Sequence, residues 1–201
     1  MATDGEVLIH YDREPVMWEV KRYEQADPKP YGKPRGFWVS VKGEDDWESW
    51  CRSEEFMLDD LECAHVVRLA AGARILRLQT PEQILAFGER YRGECEELNK
   101  LKAEAPFLRD LTRGIIDWRA VAADYQGIII APYQWSLRLD MRVNWYYPWD
   151  CASGCIWDPA AIAGLELIVE EEDDGGDGRD REGVRAADDG AAAGADGPGD
   201  V

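Results

Sequence analysis

The chain has 201 residues, enough for one domain with a real core plus a tail. Its formal net charge is -18, which argues against binding a nucleic-acid backbone, because that affinity comes from Lys and Arg releasing counterions. The five Cys are an odd number without framework spacing, and no secretory h-region or long apolar run is present, so a soluble, cytoplasmic protein with reduced thiols and no membrane partner is expected.

The first apolar run, Glu6 to Tyr11 (EVLIHY), reads as a strand that ends in His10 and Tyr11. Asp27 to Arg35 (DPKPYGKPR) has three Pro and a Gly and reads as a loop. Gly36 to Val41 (GFWVSV) sets Phe37, Val39 and Val41 against Trp38 and Ser40, a strand with two different faces. Asp45 and Asp46 then precede WESWCRSEEFMLDDL. An acidic pair there caps a helix and favours its dipole, and Trp47, Trp50, Cys51 and Phe56 fall at spacings that share one face.

Ala64 to Leu69 and Ala73 to Leu78 read as strands joined at Ala70-Ala71-Gly72, with His65 as a structural or edge histidine. Thr80-Pro81-Glu82-Gln83 carries the signals of a helix start. Glu94 to Glu104 is expected as a solvated continuation of that helix. Asp117 caps WRAVAADY, with Gly127 at the helix C-terminal end, and Ile128 to Ala131 is a buried strand. Pro132 to Asp140 is a connection that carries Trp135 and Arg138.

Trp145 to Ile168 (WYYPWDCASGCIWDPAAIAGLELI) is the densest stretch. Three of the nine Trp lie within it, beside Asp150, Cys151, Ser153, Gly154 and Cys155. Large rings next to small polar residues are what a lined pocket requires, and they are equally what a sheet core contains. The second half reads as strand, turn and strand. Cys151 and Cys155 have no His nearby, so no metal site is expected, and Cys151 lacks the base that a nucleophile needs. After Val169 the composition changes. Residues 170–201 are mostly Gly, Asp, Ala and Glu, and Val169 to Val201 hold 12 acidic and 3 basic residues. The expected organisation is therefore a domain over residues 1–169 and a disordered acidic tail over 170–201.

In order and in short motifs, residues 6 to 169 resemble the ADP-ribosyltransferase superfamily. LIHY, with His10, is similar to that family's first strand. GFWVS is similar to its second, with Trp38 in place of the usual Tyr and Ser40 as the hydroxyl residue. DDWESWC fits the helix that follows, and SGCIWDPAAIAGLELI is similar to the late strand, turn and strand. The resemblance implies an α+β fold, a split mixed β-sheet core with flanking helices and a cleft for NAD. It implies transfer of ADP-ribose from NAD to a macromolecular acceptor. Where the family most often has its catalytic Glu, this chain has Ser153 or Gly154, and the nearest acid is Asp150.

The residues expected at such a site follow from its chemistry. Breaking the nicotinamide–ribose bond builds positive charge on the sugar, which a carboxylate stabilises, so Asp150 and the Ser40 hydroxyl are the catalytic candidates. His10, Tyr11 and Trp38 would hold ribose and nicotinamide. With no Gly-rich phosphate loop in the chain, Arg35 or Arg138 would meet the pyrophosphate. Removal of an RNA 2′-phosphate within the same fold would want a basic cleft, and few Arg cluster here. The alternative from another class is a non-enzymatic acidic interaction protein built on a catalytically lapsed copy of the fold, engaging a protein partner.

Overall fold

The computed structural model describes residues 5–17, 19–104 and 114–169. The acidic tail, and with it the expectation of disorder, lies outside the described residues. Seven strands form one sheet: β1 (Leu8–Asp12), β2 (Phe37–Val41), β3 (Cys63–Leu69), β4 (Ile75–Leu78), β5 (Gly127–Ile130), β6 (Ser153–Ile156) and β7 (Ile162–Leu167). Among the described residues four α-helices accompany them: α1 (Trp47–Glu54), α2 (Pro81–Arg90), α3 (Glu96–Glu104) and α4 (Trp118–Asp124). The fold is mixed α+β, as expected.

The strand order is β4-β5-β6-β2-β1-β3-β7. Only β4 and β5 run parallel, and every other neighbour pair is antiparallel. The seven strands form one hydrogen-bonded ladder from edge to edge, without a break into two small sheets. The two strands joined at Ala70–Gly72 do not pair. β3 lies beside β1 and β7, while β4 forms the opposite edge. The same holds for the strand-turn-strand of the dense stretch. β6 sits at the centre between β5 and β2, and β7 is the far edge beside β3.

The centre of the sheet is built from strands that tolerate full burial. β5 is GIII and β6 is SGCI, and all eight residues are buried. Gly36, just before β2, has a comparable role at this seam. A Cβ there would lie 2.6 Å from the Ile156 carbonyl oxygen, so the first residue of GFWVS permits close approach of β2 to β6.

The helix ends follow local chemistry. Asp46 caps α1, its carboxylate accepting from the Ser49 N–H at 2.8 Å. Its neighbour Asp45 instead offers its carbonyl to the Ala152 N–H at 2.7 Å. Thr80 caps α2 with Pro81 at its first turn, and Asp117 caps α4. Such caps contribute about 1 kcal/mol each. Two boundaries differ from expectation. The charged segment after α2 is not its continuation but a separate helix, because Tyr91 ends α2 and Arg92 bridges to Ile116. Gly127 does not end α4, whose C-cap is Tyr125. It opens β5, where a Cβ would meet the Cys155 carbonyl oxygen at 3.0 Å.

Most of the dense stretch is core. Trp145, Trp149 and Trp157 are 1%, 1% and 3% exposed, so these rings do not line a pocket. They pack with Phe87 and Trp118, whose ring centroids lie 5.1 Å and 6.1 Å from Trp145. Trp118 also donates its indole N–H to the Gly32 carbonyl at 2.7 Å.

Candidate functional site

A cavity of about 320 Å³ opens on the β1–β2 part of the sheet, next to the start of β6. His10, Tyr11, Trp38, Ser40 and Asp150 all line it. The sheet brings them together from three stretches. β1 pairs with β2 through Ile9 and Ser40, and β2 pairs with β6 through Ser40 and Ser153. Asp150 lies three residues before Ser153, in the connection entering β6.

His10 lies within β1, two residues from its end, rather than at the end of the strand. Its Nδ1–H donates to the Trp38 carbonyl at 2.7 Å, since a carbonyl can only accept. Nε2 is left as an acceptor, 3.9 Å from an Asp12 carboxylate oxygen. Burial lowers the pKa of His10, against the opposing pull of the Trp38 carbonyl and Asp12. The ring is therefore neutral at neutral pH. His65, directly across on β3, is the structural histidine expected. It is 2% exposed, and its Nε2 accepts from the Val16 N–H at 3.1 Å.

Trp38 is half-buried and packs against Trp149, with ring centroids 5.0 Å apart. Its ring also carries the ammonium of Lys33, 4.8 Å from the centroid. Ser40 is 4% exposed, and its Oγ accepts the Trp47 N–H at 2.9 Å. The hydroxyl thus ties the first turn of α1 to β2, and its proton remains to be donated. Tyr11 donates to Glu48 at 3.1 Å. Burial, and next Glu48, push the Tyr11 pKa up, so it stays protonated.

Asp150 is half-buried, and burial raises its pKa; Lys33 and then Arg138 pull it back down. Arg138 reaches to 3.8 Å from the carboxylate and lies over the Trp135 ring. It approaches the site only through Asp150 and is not part of the lining. Arg35 is exposed and also off the lining. What holds it is its backbone, whose N–H and carbonyl both bond to the Gln25 side chain. Cys151 does line the cavity, but burial pushes its thiol up to about 12, so no thiolate forms at neutral pH.

Three contributors were missed from the sequence. Lys33 sits in a Pro- and Gly-rich loop, where a lysine ordinarily reads as solvated. Met57 and Asp60 come from the 3-10 turn after α1, and Met57, like Glu55, has a left-handed backbone. Nothing in the local sequence announces that conformation at a non-glycine residue.

No family model, no curated protein and no solved structure matches the chain. Among the described residues, no helix is long and apolar enough to cross a membrane.

Proposed function

We propose that this domain is ADP-ribosyltransferase-like, and that its cavity takes the nicotinamide–ribose part of NAD for transfer of ADP-ribose to a macromolecular acceptor. The observation that carries this reading is the convergence of His10, Trp38, Ser40 and Asp150 on one cavity. These four residue types come from three separate stretches, Trp38 and Ser40 sharing β2, and the chemistry asks for one of each.

The lining fits such a ligand. About 320 Å³ is at the small end of the usual range of roughly 300–1,000 Å³ for ligand pockets, room for part of a dinucleotide rather than all of it. Trp38 offers a ring for stacking. His10 Nε2 accepts from a ribose hydroxyl, held in that tautomer by the Trp38 carbonyl. Asp150 supplies negative charge where the sugar becomes positive, and the low polarity that raises its pKa also strengthens that field. NAD supplies the ADP-ribosyl group and the leaving nicotinamide. Ser40 serves to hold α1 against the sheet and offers its hydroxyl proton to the ligand.

Calorimetric titration with NAD at millimolar concentration, alongside nicotinamide release, tests the reading. Binding with slow release of nicotinamide is expected. Absence of binding overturns it in favour of a non-enzymatic acidic interaction protein that engages a protein partner. One observation favours that second reading: the residue paired with Ser40 on β6 is Ser153, not an acid, and the nearest carboxylate is in an ion pair with Arg138.

A further inference from the structure

We propose that Lys33 is the anion seat of this cavity, its ammonium taking phosphate oxygens of the ligand in the role expected of Arg35 or Arg138. The assignment to a dinucleotide rests on the NAD reading above; the anion seat itself rests on the geometry of Lys33.

Lys33 is the only Lys or Arg among the described residues that line the cavity. Arg35 is off the lining, and Arg138 is occupied by Asp150 and Trp135. No carboxylate of the described residues forms an ion pair with Lys33, and its contact is the face of Trp38. The residue as a whole is exposed, and its ammonium lies against the Trp38 ring. Burial lowers its pKa, with Asp150 first among the groups that oppose this. An ammonium without a hydrogen-bonded counter-charge gains a charge-assisted hydrogen bond from an arriving phosphate.

The backbone that carries Lys33 is held from both sides. The Gly32 carbonyl accepts the Trp118 indole N–H at 2.7 Å, and the Pro34 carbonyl accepts the Cys155 thiol at 3.7 Å. Gly32 also closes a turn onto the Lys29 carbonyl at 3.1 Å. The loop is therefore anchored to the core on either side of Lys33. The four-carbon stem alone needs to move for the ammonium to leave the Trp38 face and follow a phosphate, which leaves that face to a planar ring. Asp60 and Asp150 also line the cavity, so in a chain of net charge -18 Lys33 is the one positive group of the described lining that can offset the charge of an arriving anion.

The test compares wild type, Lys33→Ala and Lys33→Arg by calorimetry, with melting curves as a check of folding. Three probes are used: NAD, ADP-ribose, and nicotinamide riboside, which lacks phosphate. Lys33→Ala is expected to weaken NAD and ADP-ribose by about tenfold or more, the effect of losing one charge-assisted hydrogen bond. It should leave nicotinamide riboside within about twofold, below the size of such a bond. Lys33→Arg should recover most of the loss, and added salt should weaken ADP-ribose binding more in wild type than in Lys33→Ala. Unchanged ADP-ribose affinity in Lys33→Ala overturns the proposal, as does an equal loss for nicotinamide riboside, which would mean that Lys33 acts by shaping the Trp38 wall. Wild-type protein that binds ADP-ribose through Lys33 but not NAD would remove the NAD reading and leave the anion seat standing. Binding of neither overturns both.

Discussion

Two groups of aromatic rings share this small domain and have opposite fates. Phe87, Trp118, Trp145, Trp149 and Trp157 form a buried cluster in which Trp118 lies within 6.5 Å of each of the other four. Trp47, Trp50 and Phe56 form a second cluster, of which Trp47 lines the cavity; Trp47 and Trp50 stack at 5.1 Å and Phe56 is 46% exposed. Trp38 stands between them, touching Trp149 on the core side and lining the cavity, as Trp47 does, with Lys33 over its ring. The richest aromatic sequence is the one that disappears into the core. What marks the candidate site is not the number of rings but a ring that shares its lining with one lysine, two carboxylates and a histidine.

The sharpest way to break that comparison is to truncate one ring from each group. Trp118→Ala removes the hub of the core and leaves the Gly32 carbonyl without its donor. It is expected to cost about 3–5 kcal/mol, measured by urea unfolding. Trp38→Ala, at a half-buried position, should cost less than half as much stability but weaken NAD by about tenfold, or about 1.4 kcal/mol. A stability loss in Trp38→Ala equal to that of Trp118→Ala, with NAD affinity untouched, would return Trp38 to the core.

Asp150→Asn separates charge from shape. Nicotinamide release is expected to fall by about two orders of magnitude, the scale of losing one electrostatic stabiliser, while NAD affinity stays nearly constant. Stability should move the other way. A carboxyl whose native pKa is raised holds its proton more tightly when folded. Its favourable contribution is therefore full below the ordinary value of 3.8 and is lost as pH rises through the native pKa. At pH 7 the buried charge is a net cost that Asn removes, so the variant should melt higher than wild type. Equal release rates would mean that Asp150 only shapes the entry to β6. A lower melting temperature would mean that its pairing with Arg138 outweighs desolvation.

A smaller effect tests the seam between β2 and β6. Gly36→Ala places a methyl 2.5 Å from the Cys155 sulfur and 2.6 Å from the Ile156 carbonyl oxygen, and that backbone oxygen cannot swing aside. A loss of about 1–3 kcal/mol is expected, as for other overpacked positions. Unchanged stability would mean that the seam has slack, and that the glycine in GFWVS is not there for close approach.

The caps at Asp46, Thr80 and Asp117, the two-faced β2 and the all-apolar β5 were legible because each depends on neighbours within a few residues. The pairing of β6 with β2 and the removal of β7 to the far edge were not, since both depend on partners far apart in sequence, such as Phe37 with Ile156 and Val67 with Leu165. The same limit explains the site. His10, Trp38, Ser40 and Asp150 could be picked out by residue type and order. Lys33 could not, because its loop is fixed by Trp118 and Cys155, whose bonding partners lie 86 and 121 residues from them in sequence. The fate of Trp145 and Trp149 was likewise set by Phe87 and Trp118, which no reading of their own stretch contains.

The smallest expected effect sits on the His10 side of the cavity and is a matter of pH. Burial lowers the native pKa of His10, while the Trp38 carbonyl and Asp12 oppose that shift and His65 across the strand pair adds to it. The folded protein therefore binds this proton less tightly than the unfolded chain does. Its contribution to stability is present above the ordinary value of 6.5 and is lost as pH falls through the lowered native pKa. Asp150 runs in the opposite sense, so the two must be separated by substitution rather than read from wild type alone. His10→Gln keeps a donor for the Trp38 carbonyl and does not titrate. Melting curves between pH 7 and pH 5 should fall less steeply for this variant than for wild type, by at most about 1.4 kcal/mol per pH unit, the bound for one proton. NAD affinity in wild type should weaken as pH falls through the lowered native pKa, because protonation takes away the Nε2 acceptor, and His10→Gln should lose that dependence. Parallel melting and binding profiles in the two proteins would mean that His10 does not titrate against its site, and that the acceptor role at Nε2 belongs to another group.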